Sequence, residues 1–184
     1  QTNLNIDGLF NKCYANFAMA GNGGANGDCD IDGIDGGTSG FVRQTFNANE
    51  LTTDEAICGW GDDGIAGFCY NSYNATNPML TGLYARITTG IAYCNQYLAE
   101  AGDQDATKLA EIRFLRAYEY FSLMDAWGNI PFTLQPLTKP ERYTRAQTYE
   151  WLEKELREIE PNLSEAKAKN STDEGYGRVD KAAC

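Results

Sequence analysis

Apolar residues recur at three- and four-residue spacing in four stretches of the chain, and each predicts an amphipathic helix. The first covers residues 5–20, where Ile6, Leu9, Phe10, Cys13, Tyr14 and Phe17 make one face, Asn5 stands as N-cap and Gly21 as stop. The second covers residues 79–101, with Leu80, Leu83, Tyr84, Ile87, Ile91, Cys94, Tyr97 and Leu98 on one stripe and Pro78 at its start, where a missing N–H costs nothing. The third, residues 105–127, is the longest uninterrupted pattern and ends in Gly128-Asn129-Ile130-Pro131. The fourth covers residues 144–167, with an apolar face of Tyr149, Leu152, Leu156, Ile159 and Leu163. Thr144 with Gln147 fits a capping box there. Glu150 with Lys154 and Glu153 with Arg157 are i,i+4 pairs in the favourable order.

Between these helices the patterning fades. Residues 21–77 read as a loop region: glycine- and aspartate-rich at first, with Phe41–Asn49 as a short extended piece, then rich in aromatics and asparagine. Residues 132–143 carry Pro136 and Pro140 and read as an extended connector. Only the short turn at Gly102-Asp103 separates the second and third helices, so they must lie antiparallel. The expected fold is all-α, with antiparallel helix pairs in tetratricopeptide-like packing and long irregular loops. No repeat of fixed period is visible.

Composition narrows the functional classes. The 26 Asp and Glu outweigh the 15 Lys and Arg, for a formal net charge of −11, so the surface repels phosphate backbones and nucleic acid is not an expected partner. There is no histidine, which excludes Ser-His-Asp and Cys-His mechanisms within the chain. The acidic pairs Asp62-Asp63, Asp54-Glu55 and Glu153-Glu155 fall in loops or on a polar helix face and read as solvated charge rather than a glycosidase pair. No apolar run reaches membrane-spanning length. The six cysteines, at 13, 29, 58, 69, 94 and 184, include no CxxC pair, and fifteen full pairings remain open. Cys13 and Cys94 sit among apolar helical residues and read as small buried hydrophobes.

Three groups of residues bear on chemistry. Arg113 and Arg116 interrupt an otherwise apolar helix and have two readings, anion or substrate binding, or scaffold paired with carboxylates or loop carbonyls between helices. The run from Asp28 to Asp35 has the alternating carboxylates of the first half of a calcium loop, at Asp28, Asp30, Asp32 and Asp35. Ser39 stands where that loop needs a bidentate glutamate, so the run reads first as solvated loop, with calcium as the single candidate cofactor. The stretch from Trp60 to Asn77 interleaves aromatics with Asp and Asn. Sugar rings present apolar C–H faces and a rim of hydroxyls, so this composition suits a carbohydrate platform. Trp60, Tyr70, Tyr73 and Asn74 are the candidate ligand-binding residues; the competing reading is that these aromatics pin a long loop onto the helices.

The third helix and its stop resemble the SusD/RagB family of nutrient-binding outer-membrane lipoproteins. The family pattern, an AE-x-RFLRA-x-x-YF-x-L helix followed by GDVP or GNIP, stands here from Ala110 to Pro131. That pattern carries Arg113 and Arg116 as scaffold, so the resemblance implies the second of their two readings. Glu50 to Ala56 is similar to the family's ELSTDEA, Gly82 to Asn95 to its W-x-x-LY-x-GI-x-x-AN helix, Arg145 with Tyr149 to Leu163 to its next helical segment, and Gly177 to Ala183 to GRATKGAA. The family carries a large remainder after that last motif, so the resemblance implies an N-terminal portion of a SusD-like domain. It further implies a surface-exposed lipoprotein of the outer membrane, anchored by a lipidated cysteine ahead of Gln1, that captures oligosaccharide or another nutrient without chemistry. Its implied partner is a SusC-like TonB-dependent transporter. The alternative reading is a helical-repeat scaffold binding a protein or peptide.

Overall fold

The computed structural model describes residues 5–21, 29–102 and 105–184. Six α-helices run through them: α1 (Ile6–Ala18), α2 (Phe41–Glu50), α3 (Ile65–Cys69), α4 (Pro78–Glu100), α5 (Ala106–Trp127) and α6 (Arg145–Ile159). Two three-residue strands, β1 (Ile130–Phe132) and β2 (Glu141–Tyr143), pair antiparallel with Ile130 opposite Tyr143 and Phe132 opposite Glu141. The fold is all-α apart from this ribbon. Among the described residues, no helix is long and apolar enough to cross a membrane. Residues 22–28 and 103–104, the latter including Asp103 of the expected turn, lie outside the described residues. The chain divides into two compact units, one of Tyr14–Thr89 and one of Gln1–Cys13 with Gly90–Cys184.

In the second of these units, α5 is the central element. Asp105 caps it, its carboxylate accepting from the Thr107 and Lys108 amides at 3.0 and 3.2 Å. Gly128, at φ 73°, ends it, donating its N–H to Met124 O at 2.8 Å in a left-handed turn that a side chain would strain. The contacts of α5 run in opposite order along α6: Arg113 meets Glu155 and Glu158, Tyr120 meets Trp151, and Arg145 donates to Met124 O and Asp125 O. This sequence of partners makes the pair antiparallel.

The two arginines of α5 pair between helices, which is the scaffold reading of the two. Arg113 grips Glu155 with both ends of its fork, at 2.8 and 2.7 Å. Arg116, buried, donates to Asn95 Oδ1 of α4 at 2.9 Å and to Glu155 Oε1 at 3.2 Å. A second forked pair joins Arg178 to the buried Glu111, at 2.8 and 2.7 Å. Burial works against the Glu155 charge, but hydrogen bonds and charge from Arg113, then Arg116, outweigh it and hold the carboxyl below its ordinary range.

Three expectations change in this unit. First, α6 stops at Ile159 instead of running on to 167, because Pro161 lacks an N–H and tightens Glu160–Asn162 into a single 3-10 turn. Second, the connector at 132–143 supplies β2 and the last residue of β1. Tyr120 clamps the ribbon: its hydroxyl donates to Thr133 O at 2.6 Å and accepts from the Thr133 amide at 2.9 Å. Phe132 stacks on Tyr143 with centroids 4.1 Å apart. Third, residues 177–183, whose sequence reads as the start of a further helix, form turns, with Lys181 N–H bonded to Ser164 O at 2.9 Å. At α6 the capping box forms as its residues predict, with Thr144 and Gln147 bonding reciprocally at 2.9 and 3.3 Å.

In the unit of Tyr14–Thr89, the expected extended piece at Phe41–Asn49 is the helix α2. Its buried positions are Phe41, Gln44 and Asn47, spaced as on a helix, but two of the three are polar, so hydropathy conceals the period. Gln44 is buried because it has partners: its amide donates to Thr38 O and to Met79 Sδ, and its carbonyl accepts from Asn47. The hub of the unit is Arg86 of α4, 0% exposed. It donates to Asn16 Oδ1 (3.2 Å), Ala20 O (3.1 Å), Ser39 O (3.0 Å) and Ser39 Oγ (3.2 Å), and pairs with Asp30 at 2.8 Å. Both flanks of the glycine-rich stretch are thereby tied to one guanidinium.

Two stability predictions follow from these ion pairs. Arg86→Met leaves Asp30 and two carbonyls without their buried donor, and is expected to lower unfolding free energy by about 3–5 kcal/mol in a denaturant titration; a loss below about 1 kcal/mol contradicts the hub. For Glu155 the folded pKa lies below the unfolded value of about 4.3, so its contribution is full above that pH and fades as pH falls through the folded value. The melting-temperature gap between the parent and Glu155→Gln is therefore expected to be constant from pH 7 to about pH 5 and to shrink below about pH 4. A gap unchanged at pH 3 contradicts the ion pair.

Candidate ligand-binding surface

The platform residues all belong to the unit of Tyr14–Thr89, on the segment between α2 and α4. That segment is held by a small apolar cluster of Leu51, Ile65, Phe68 and Met79, with Ala56, Cys58, Cys69 and Leu80 packed around it. Asn77 completes the anchor. Its amide donates to Gly64 O and its carbonyl accepts from the Met79 N–H that opens α4, both at 2.9 Å. Gly64 is obligatory in this arrangement: at φ 89°, a Cβ there would meet the Asn77 side chain at 2.8 Å.

Above that anchor, residues 56–62 have no regular backbone and carry Trp60 outward, 67% exposed. An indole in water needs a reason, and its neighbours supply one. The Arg43 guanidinium of α2 lies over the ring, 5.0 Å from its centroid, and donates to Asp62 Oδ2 at 2.7 Å and to Gly37 O. One face of an aromatic is thus joined to a charged donor and a carboxylate, the pairing of apolar plane and hydroxyl partner that a sugar ring requires.

The other candidates sit differently. Tyr70 directly follows α3 and is 74% exposed. Tyr73 is half-exposed, its ring edge-on to the buried Phe68 at 5.2 Å, so the pinning role applies to Phe68 and in part to Tyr73. Asn74 is exposed, but its carbonyl oxygen accepts from the Thr76 amide and hydroxyl at 2.9 and 2.7 Å and shapes the turn before α4. Arg43 was not a candidate in the sequence: it lies 17 positions ahead of Trp60, in a stretch read as extended, and only the fold of α2 brings it to the ring.

The aspartates of the incomplete calcium loop are dispersed in their roles. Asp30 pairs with Arg86, Asp32 and Asp35 are exposed in turns, and Asp28 lies outside the described residues. Among the described residues, no group of three His, Cys, Asp or Glu side chains is placed to hold a metal ion. All six cysteines are free thiols, with Cys13 and Cys94 buried as expected.

No family model matches the chain. The starch-binding protein SusD of Bacteroides thetaiotaomicron is 36% identical over 182 residues, which is 96% of this chain and 32% of that protein. Solved structures share the fold. A SusD superfamily protein from Parabacteroides distasonis has a TM-score of 0.69 at 19% identity, over 100% of this chain and 37% of its own. Surface glycan-binding protein A from Bacteroides uniformis has a TM-score of 0.67 at 24% identity, over 99% of this chain and 40% of its own. A laminarin-binding SusD-like protein has a TM-score of 0.64 at 21% identity, over 96% and 36%. The chain spans about a third of the length of the curated relative it matches. Along nearly its whole length the chain is similar in sequence to about a third of SusD, and it shares the fold of SusD-like structures.

Proposed function

We propose that this chain is part of a protein that captures oligosaccharide at the outer surface of a bacterial cell, without converting it, and passes it to a SusC-like TonB-dependent transporter. The observation that carries the reading is Trp60, 67% exposed and overlaid by Arg43, with Asp62 hydrogen-bonded to that arginine. A sugar ring stacks its C–H face on the indole while its hydroxyls meet the guanidinium and the carboxylate. Tyr70 extends the aromatic surface, and Tyr73 and Asn74 border it as further contacts. The names of relatives agree: one binds starch and another laminarin. Absence of histidine and dispersal of the carboxylates fit capture rather than hydrolysis. A lipid anchor on a residue ahead of Gln1 supplies the membrane attachment in this reading.

A partner-protein reading draws on a different place, an apolar groove of about 390 Å³ lined by Phe114, Tyr118, Phe121 and Met124 of α5 and Tyr149 and Leu152 of α6. It predicts no sugar affinity, so one experiment separates the two.

Calorimetric titration of the full-length protein with α-glucan and β-glucan oligosaccharides tests the platform. Trp60→Ala is expected to weaken binding by at least about tenfold, a change of about 1.4 kcal/mol, and Arg43→Ala by severalfold, both without a change in melting temperature. Equal affinity in the parent and Trp60→Ala removes Trp60 from the site.

A further inference from the structure

We propose that Cys58 and Cys69 are a disulfide-forming pair that closes the loop carrying Trp60. The Cys58 amide donates to Cys69 Sγ at 3.5 Å. The Cα of Cys58 is one bond of about 1.5 Å from that nitrogen, so it lies within about 5 Å of the partner sulfur. A bonded cystine, with its Cα atoms about 4.4–6.8 Å apart, needs that proximity. Both residues pack on the Leu51, Ile65, Phe68 and Met79 cluster, yet both stay partly exposed, so a small oxidant can reach them.

The other thiols are placed otherwise. Cys13 and Cys94 are each only 1% exposed, out of reach of such an oxidant. Cys29 lies 3.3 Å from Ser39 Oγ, and Cys184 donates to Leu156 O.

What the bond would restrain is specific. Cys69 ends α3, whose Ile65 and Phe68 are buried in the core, so its sulfur is fixed. Cys58 lies within the irregular stretch, and Gly59 and Gly61 on either side of Trp60 face open space. A covalent link at Cys58 gives Trp60 an anchored residue on its N-terminal side to match α3 on the other. The ring is then held for a ligand before one arrives, and less ordering remains to oppose binding.

The chemistry is thiol–disulfide exchange with a small-molecule or protein disulfide. The first cysteine loses its proton to solvent, and its thiolate attacks one sulfur of the oxidant, breaking that S–S bond and releasing one thiolate. The second cysteine, deprotonated in turn, attacks the mixed disulfide and releases the other. The protein gives up two electrons and two protons, and the oxidant disulfide becomes two thiols. Persistence of the bond in the cell rests on the surface location proposed above, since disulfides last outside the cytoplasm; its formation does not.

The test equilibrates the purified full chain with oxidised glutathione, alkylates the remaining thiols and maps the peptides. Chymotrypsin is the protease of choice because Trp60 and Phe68 lie between the two cysteines, whereas no Lys or Arg does. A Cys58–Cys69 cross-linked peptide lacking two hydrogens is expected, with severalfold slower amide exchange across residues 59–64 than in the reduced chain. Cys58→Ser and Cys69→Ser, each checked for retained helicity, are expected to lose the cross-link and to leave the remaining cysteine as a glutathione adduct. Alkylation of both cysteines after oxidation, a lasting glutathione adduct on either in the unaltered chain, a bond to another cysteine, or unchanged exchange at 59–64 overturns the proposal. These readouts do not involve glycan, so Trp60→Ala can fail in its assay while the cross-link stands, and the reverse.

Discussion

A guanidinium taken out of water keeps its charge, and burying it costs several kcal/mol unless nearly every N–H finds an acceptor. Arg86 meets that demand with an unusual set of partners. Its acceptors are Asn16 of α1, the carbonyl of Ala20, both oxygens of Ser39, and the carboxylate of Asp30. The segments around residues 20, 30 and 39 hold few apolar side chains and could not dock by hydrophobic burial. One cation on α4 collects them, and the position of α2 follows, because Phe41 begins directly after Ser39 and Gly40 and packs edge-on against Phe17 at 4.8 Å.

The same device recurs in the other unit. Arg113 and Arg116 share Glu155, and Arg116 reaches Asn95, so α5 is tied to α6 and to the last turns of α4 by a single polar cluster. Ion pairs of this kind contribute modest net stability but strongly penalise misregister, since any slip leaves a buried charge unpaired. That is why α5 can bury Glu111 and Arg116 among its apolar residues.

In the unit of Tyr14–Thr89 the exposed side chains stand out against this anchoring. Most of the segment from 51 to 77 is anchored by buried residues at Leu51, Ile65, Phe68 and Asn77. Trp60 and Tyr70 are the large rings it leaves open, and Arg43 restrains the first of them from a neighbouring helix. Anchored loop and exposed ring are two halves of one arrangement: the anchor removes conformational freedom, so that binding does not have to.

How much of this was legible beforehand depended on distance along the chain. Helices α1, α4, α5 and α6 announce themselves because their periods and caps are local: Asn5 accepting from Gly8, Thr144 with Gln147, Gly128 after Trp127. The scaffold role of Arg113 and Arg116 came with the family resemblance, since their place in the helix alone left anion binding open. Trp60, Tyr70, Tyr73 and Asn74 could be named from composition, but not their differing environments. The sequence by itself determined the helical class, the family resemblance and the stretch where aromatics gather. Only the tertiary structure decided that α2 is a helix, that Arg86 is the hub, and that Arg43 covers Trp60. In each case the partner that settles the matter lies far off in the chain, and a polar residue is buried only because the fold delivers that partner to it.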